Sequence, residues 1–434
     1  MKIKCLFVLF ILITSSLFVS NAFANKSIKS DSQKNIEISS SEEYDMVIIS
    51  RNIFKSTIQP LIDHKNSHGI KTYFKNVNEI YRQYQGRDNA EKIKYFIKDA
   101  IETNGISYVL VVGNPILVPM RKMAFYESDL KYEPAMVLTD LYYSDIYDEN
   151  NSFCSWDSNN NNLFGEFFRD RLGFGFDNVN YTNIDEVDLY ADVHIGRIPC
   201  VLIRDLKIVV NKIINYENSA FGSDWFNKIL LLGGNTLDID DFAGEILTNI
   251  VGQEMEKHGF ENIKLWHSKN KLRRLNFNYH MNKGAGFMVY SGHGSILGLI
   301  GDFPFLYLNH NLLGLHNKEK LPIVFLHACL TANIDALGFS FANNIVKKPN
   351  GGAIAAIGAT AIEYIGQNFS TYLPEKEGAY LTKKFFENFE PGITLGEMLT
   401  NAQSDYLDDL FKDCFTLGEF IIIGDPSLKV GGYP

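Results

Sequence analysis

Cysteine and tryptophan are scarce in this chain, with five and three residues among 434. Cys5 lies in an N-terminal apolar stretch, and Cys154, Cys200, Cys329 and Cys414 are far apart. Such spacing is not the dense framework that staples small secreted domains. If Cys329 is a working thiol, at most one bridge remains among the other three. No grouping of residues has the spacing of a zinc site, and the remaining histidines are scattered. An excess of positive charge is missing as well: 41 Lys and Arg stand against 51 Asp and Glu, a net of -10. Removing Lys2 and Lys4 with a leader leaves 39 against 51, or -12. That balance excludes nucleic acid as an expected partner and does not suit an anionic membrane surface. Past the first twenty or so residues no apolar run is long enough to span a bilayer, so no integral membrane segment is expected after leader removal.

What is present begins with an export signal. Lys2 and Lys4 form a basic start, Cys5 to Val19 is almost unbroken apolar sequence, and Ala22-Phe23-Ala24 is a small-residue cleavage pattern. A signal peptide over 1–24 is therefore expected, placing the protein outside the cytoplasm. Residues 25–43 are rich in Ser, Lys, Asn and Glu and read as a flexible linker or short propeptide.

From Tyr44 onward, short apolar runs alternate with helical patterns. Met46–Ser50, Ile70–Phe74 and Tyr108–Val112 read as strands, Ala90–Thr103 as an amphipathic helix and Pro60–Ser67 and Asp205–Tyr216 as helical, and the chain becomes regular again at Ala191–Ile195. A second series places strands at Lys228–Leu232, Phe287–Tyr290, Pro322–Leu326, Ala353–Ile357 and Phe420–Ile423. Its helices fall at Ala243–Lys257, Gly378–Phe389 and Leu395–Leu410. Residues 140–180 are polar and Asn-rich and read as a long irregular loop region. The alternation implies right-handed crossovers and an α/β protein of two subdomains, 44–222 and 223–434, with mainly parallel sheets flanked by helices.

Several strands of the second series end in small or reactive residues. Phe287–Tyr290 runs into Ser291-Gly292-His293-Gly294, and Pro322–Leu326 runs into His327-Ala328-Cys329. Sites in open parallel sheets form beyond the carboxyl ends of strands, so His293 and Cys329 are expected at one edge. A thiol attacks as thiolate, and an imidazole beside it can hold or accept its proton. The pair therefore starts either as thiolate and imidazolium or as a neutral dyad. Gly292 and Gly294 permit a sharp turn and close approach of substrate. The Gly294 and Cys329 amides are suitable donors to a tetrahedral oxyanion.

Tyr290-Ser-Gly-His-Gly-Ser295 and Leu326-His-Ala-Cys-Leu330 resemble the histidine and cysteine motifs of the gingipain family of cysteine peptidases, part of the caspase-like fold group. Three further blocks resemble that family in the same order: Asp192-Val-His-Ile-Gly-Arg197, Gly352 to Thr360, and Ile423-Gly-Asp-Pro-Ser-Leu428. The resemblance implies a caspase-like catalytic subdomain and a secreted thiol endopeptidase acting on protein or peptide substrates. His293 and Cys329 would be catalytic, and no cofactor would be required. It implies also that Ser291 and His327 line the pocket for the side chain before the scissile bond, with Glu363 in its far wall, where an acid suits a basic side chain. A third catalytic residue is not assigned: the family's acidic residue follows the strand that here ends in Gly233-Gly234-Asn235, and Asp238, Asp240 and Asp241 come only later. A transpeptidase on the same scaffold would need the same Cys and His, whereas a non-catalytic binding module would need neither.

Asp157, Asn159 and Asn161 space oxygen atoms like the first half of a calcium loop, with Asp145 nearby. The loop glycine is missing, and Phe168 stands where a bidentate Glu would close the loop. Structural calcium and a plain polar loop are both open readings.

Overall fold

Among the described residues, the uninterrupted apolar runs of the large sheet become strands buried on both faces, as all five residues of Met46–Ser50 are. The computed structural model describes residues 42–127, 134–171, 179–234, 242–301, 304–334, 339–364, 371, 373–410 and 413–434. The expected leader and all of the 25–43 segment except its last two residues lie outside the described residues.

The chain begins with β1 (Met46–Ser50), α1 (Lys55–Ser67), β2 (Thr72–Asn76), α2 (Val77–Gln83), α3 (Asn89–Asn104) and β3 (Tyr108–Val112). There follow β4 (Arg121–Glu127), β5 (Ala135–Thr139), β6 (Phe164–Arg171), β7 (Val179–Asn183), β8 (His194–Ile198) and α4 (Ile203–Ser219). Next come β9 (Lys228–Gly233), α5 (Ala243–Lys257), β10 (Glu261–Trp266), α6 (Arg274–Lys283), β11 (Phe287–Ser291), β12 (His293–Ser295), β13 (Gly298–Ile300) and β14 (Leu306–Leu308). The last elements are β15 (Ile323–His327), α7 (Phe341–Val346), β16 (Ala355–Ala359), α8 (Glu377–Glu387), α9 (Leu395–Leu410), α10 (Cys414–Glu419) and β17 (Phe420–Ile423).

Ten strands make one sheet in the order β10-β9-β11-β15-β16-β17-β8-β3-β1-β2. Every junction in it is parallel except β16 with β17. The sheet is thus two parallel sets running in opposite directions, continuous across residues 222 and 223. The carboxyl ends of β9, β11, β15 and β16 share an edge with the amino ends of β17, β8, β3 and β1.

Local chemistry sets the element ends. The Asp88 side chain accepts the Glu91 amide at 2.8 Å and caps α3, and Gly105, with φ of 73°, ends it. Ile93, Phe96, Ile97 and Ala100 bury one face of that helix. Pro60 lies inside α1, which begins at Lys55, about a turn earlier than the apolar spacing suggests. β8 begins three residues later than expected because Asp192 is occupied: its carboxylate accepts the amides of Ile146 and Tyr147 at 2.6 and 2.9 Å.

The expected irregular region over 140–180 is corrected by β6 and β7, which join β4 and β5 in a separate sheet of order β5-β4-β6-β7. The alternation of this region is masked because β6 buries charge along with Phe164 and Phe167: Glu166 and Arg169 are also inside. Arg169 meets Glu127 at 2.9 Å and Glu377 at 2.7 Å, and lies 3.8 Å from the Tyr364 ring centroid. A buried charge of this kind requires such partners.

Two of the five family-like blocks have an architectural role. A methyl group at Gly196 would lie 2.7 Å from the Gly424 carbonyl oxygen and 2.9 Å from Pro426 Cδ, so β8 and the turn after β17 pack without room for a side chain. Arg197 is wholly buried and clamps Asp140 at 2.6 and 2.7 Å while donating to the carbonyls of Gly113 and Val118.

Candidate active site

β11 and β15 are adjacent and parallel, with Ser291 directly paired to His327 on their last shared rung. Each strand continues two residues past that rung, one to His293 and the other to Cys329. Equal overshoot on adjacent parallel strands brings imidazole and thiol to the same edge of the sheet. The two turns also touch: a methyl group at Gly294 would lie 2.7 Å from the Cys329 carbonyl oxygen and 2.8 Å from Ala328 Cβ. Gly292 donates its amide to the His327 carbonyl at 3.2 Å. The Tyr290 hydroxyl lies 3.0 Å from the carbonyl oxygens of both His293 and Ile300, tying the His293 turn to β13.

The turn after β15 is held in an uncommon backbone conformation. Leu330 has φ of 59°, a left-handed position that costs a non-glycine residue about 1 kcal/mol. Its amide donates to the Ala361 carbonyl at 2.8 Å, and the Thr331 hydroxyl donates to the Ala328 carbonyl at 3.0 Å. Cys329 is half-buried, and its thiol donates to the Glu363 carbonyl at 3.7 Å. Burial, reinforced by the Glu363 carboxylate, pushes the thiol up to about 12. That favours the neutral form at rest.

Ser291, His327 and Glu363 come together beside the Cys329 turn. Ser291 Oγ is 2.8 Å from His327 Nδ1, and His327 Nε2 is 3.1 Å from Glu363 Oε1. The side chains of His327 and Glu363 are each only 3% exposed, so these polar groups face one another instead of open solvent. Burial and the nearby Glu377 hold the Glu363 carboxyl well above the usual carboxylate range. Space for it exists because residue 378 is glycine: a methyl there would lie 2.0 Å from Glu363 Oε1. Glu419, at the end of α10, is wholly buried and is likewise raised, by burial and by Glu363. Sequence reasoning missed Glu419 and Glu377. A carboxylate directly preceding Phe420-Ile-Ile-Ile423 was the available signal for the first.

The proposed calcium side chains are otherwise engaged. Asp157 pairs with Arg87 and accepts the Asn161 amide at 2.9 Å. Asn159 and Asn161 direct their side-chain amides to Glu166 Oε2 at 2.7 and 2.8 Å. Asp145 lies apart, wholly buried, accepting from Trp156 Nε1 at 3.0 Å and the Leu189 amide at 3.1 Å. Burial raises its carboxyl to about 7. Among the described residues no group of three or more His, Cys, Asp or Glu is arranged to hold a metal ion. Cys154, Cys200, Cys329 and Cys414 are all unpaired. Asp238, Asp240 and Asp241 lie outside the described residues. Among the described residues no helix is long and apolar enough to cross a membrane.

Known proteins resemble this chain in sequence and in fold. The model of peptidase family C25 matches residues 39–431. Gingipain R2 of Porphyromonas gingivalis is 22% identical over 400 residues, covering 89% of this chain and 46% of the relative. Lys-gingipain W83 of Porphyromonas gingivalis is 23% identical over 192 residues, covering 44% of this chain and 11% of the relative. The chain thus spans less than half the length of these curated relatives. The crystal structure of the Arg-specific cysteine proteinase gingipain R superposes with a TM-score of 0.64 at 21% identity, covering 92% of this chain and 80% of that one. A complex of RgpB pro- and mature domains from Porphyromonas gingivalis matches with a TM-score of 0.64 at 21% identity, over 89% and 79% of the two chains. With the histidine and cysteine turns meeting at one edge of this fold, the chain belongs to peptidase family C25, the gingipain-like cysteine peptidases.

Proposed function

We propose that this chain is an exported cysteine endopeptidase that cleaves protein or peptide substrates through a thioester on Cys329, with His293 as proton-transfer group. The observation that carries the reading is the Ser291–His327 register pair, which sends both turns past the same rung. The raised thiol supports a neutral start. In this mechanism His293 takes the proton of Cys329 as sulfur attacks the carbonyl carbon, and the amides of Gly294 and Cys329 stabilise the oxyanion. Collapse breaks the C–N bond, and the imidazolium gives its proton to the leaving amine. Water then attacks the thioester, losing a proton to His293, and the acid departs as the thiol is restored. Thiol and imidazole supply this chemistry without a cofactor. Export rests on the basic start, apolar stretch and Ala22-Phe23-Ala24 pattern of the first 24 residues.

The test is cleavage of a mixed peptide library by protein lacking residues 1–24, under reducing conditions, with products sequenced. Cys329→Ala is expected to lose several orders of magnitude in kcat/KM while keeping its melting temperature. Wild-type kcat/KM in that variant would overturn the reading. An added amine nucleophile appearing in the products identifies transpeptidation. A preference for Arg or Lys before the scissile bond that disappears in Glu363→Gln would give Glu363 the role of receiving that side chain.

A further inference from the structure

We infer that Ile300 and Leu306 form the surface that receives the side chain on the leaving-group side of the scissile bond, and that the enzyme prefers a large apolar residue there. This rests on the reading of His293 as the group that protonates the leaving amine.

The small sheet β12-β13-β14 is antiparallel, and His293 pairs with Ile300, which pairs in turn with Leu306. The next rung pairs Gly294 with Leu299 and Leu299 with Tyr307. Directly paired residues in antiparallel strands project to the same face, with Cβ atoms about 5 Å apart. Leu299 and Tyr307 are wholly buried, so their row faces inward. The His293 row therefore lies on the other face, where Ile300 is 37% and Leu306 50% exposed and His293 is partly exposed. An isolated exposed Leu or Ile needs no explanation. Here two of them stand in one row with the imidazole, extending from it by two strand spacings, or about 10 Å. Neither carries charge or a hydrogen-bonding group on its side chain.

Chemistry fixes which substrate residue meets this row. The imidazole must come within about 3 Å of the leaving nitrogen to protonate it. The Cα of the residue after the scissile bond is attached to that nitrogen, so its side chain falls beside the imidazole's cross-strand neighbour. An apolar side chain there removes Ile300 and Leu306 from water, whereas Asp, Ser or Gly does not. Apolar contact of this kind discriminates between side chains by about tenfold or more.

The experiment uses peptides with one acyl-side sequence and Gly, Ser, Asp, Lys, Leu or Phe directly after the scissile bond. Wild-type kcat/KM is expected to be about tenfold higher or more for Leu and Phe than for Gly, Ser or Asp. In Ile300→Ser and Leu306→Ser the Leu-to-Gly ratio should fall toward one, and in Ile300→Leu it should persist. The ratio is taken within each variant, so a general loss of activity cancels. Cleavage by wild type with no preference after the scissile bond, or an unchanged ratio in both serine variants, overturns this inference alone. No cleavage of any peptide by wild type overturns the peptidase reading, and this one with it.

Discussion

His327 Nε2 stands 3.1 Å from Glu363 Oε1, while the carbonyl oxygen of the same Glu363 accepts the Cys329 thiol. One residue therefore touches Cys329 through its main chain and, through its side chain, the residue two before Cys329. The contact fixes the segment that follows β16 against the end of β15. Removing the carboxyl takes away this close polar contact and opens a space beside the buried imidazole. Glu363→Ala is expected to lower kcat/KM by about tenfold or more, and Glu363→Gln, which keeps the shape and a polar group there, should restore most of it. Steady-state kinetics on one peptide checks this, and equal losses in Ala and Gln would show that charge, not shape, matters.

Glu419 gives a prediction about stability and pH. Burial first, then the Glu363 carboxylate, with Asp413 and Glu377 also facing it, hold its carboxyl well above its ordinary value. The folded protein thus binds this proton more tightly than the unfolded chain does. The resulting stability is fully present below the unfolded value near 4.5 and is lost as pH rises toward the folded value. Glu419→Gln removes the titration while keeping the shape. Its melting temperature should exceed wild type by about 2 °C or more at pH 8, with the gap closing toward pH 5. Parallel melting curves across that range would reject the argument.

These two acids show where sequence reasoning reaches and where it stops. β1, β3 and β17 were legible to the residue, because strands buried on both faces are uninterrupted apolar runs. His293 and Cys329 were legible as edge neighbours because each directly follows such a run, and parallel strands carry their ends to one side. β6 was not legible, since it buries the charged Glu166 and Arg169, and the partners of Arg169, Glu127 and Glu377, are remote in sequence. Nor was the Glu363 contact with His327, or the presence of Glu419 behind it, because both depend on tertiary packing. The Asp157 spacing suggested a ligand set, but Arg87, 70 residues earlier, takes the carboxylate.

That last pairing is testable. Asp157 already has a guanidinium on one oxygen and the Asn161 amide on the other, so a calcium ion at this turn must displace Arg87. We expect added calcium or a chelator to shift the melting temperature by less than about 1 °C, because only a ligand bound to the native state stabilises it. Arg87→Ala, which also strands Glu91, should lower it by a few degrees. A calcium-dependent rise abolished by Asp157→Asn would instead show that the ion wins the exchange.

The resting state of the dyad can be read by alkylation. Burial raises Cys329 to about 12, with Glu363 adding to the effect, so little thiolate exists at neutral pH. The rate of reaction with iodoacetamide follows the thiolate fraction. It should therefore be slow at pH 7 and climb about tenfold per pH unit through pH 9 and 10. An ion pair with His293 predicts the opposite: a plateau of fast alkylation reaching below about pH 6. His293→Ala separates the two cases. In the neutral dyad it leaves the alkylation profile unchanged yet abolishes turnover, because the imidazole is needed only as attack begins and when the amine leaves. In the ion pair it removes the plateau as well. A plateau in wild type that is absent from His293→Ala would refute the neutral start, and full peptidase activity in His293→Ala would remove His293 from the mechanism.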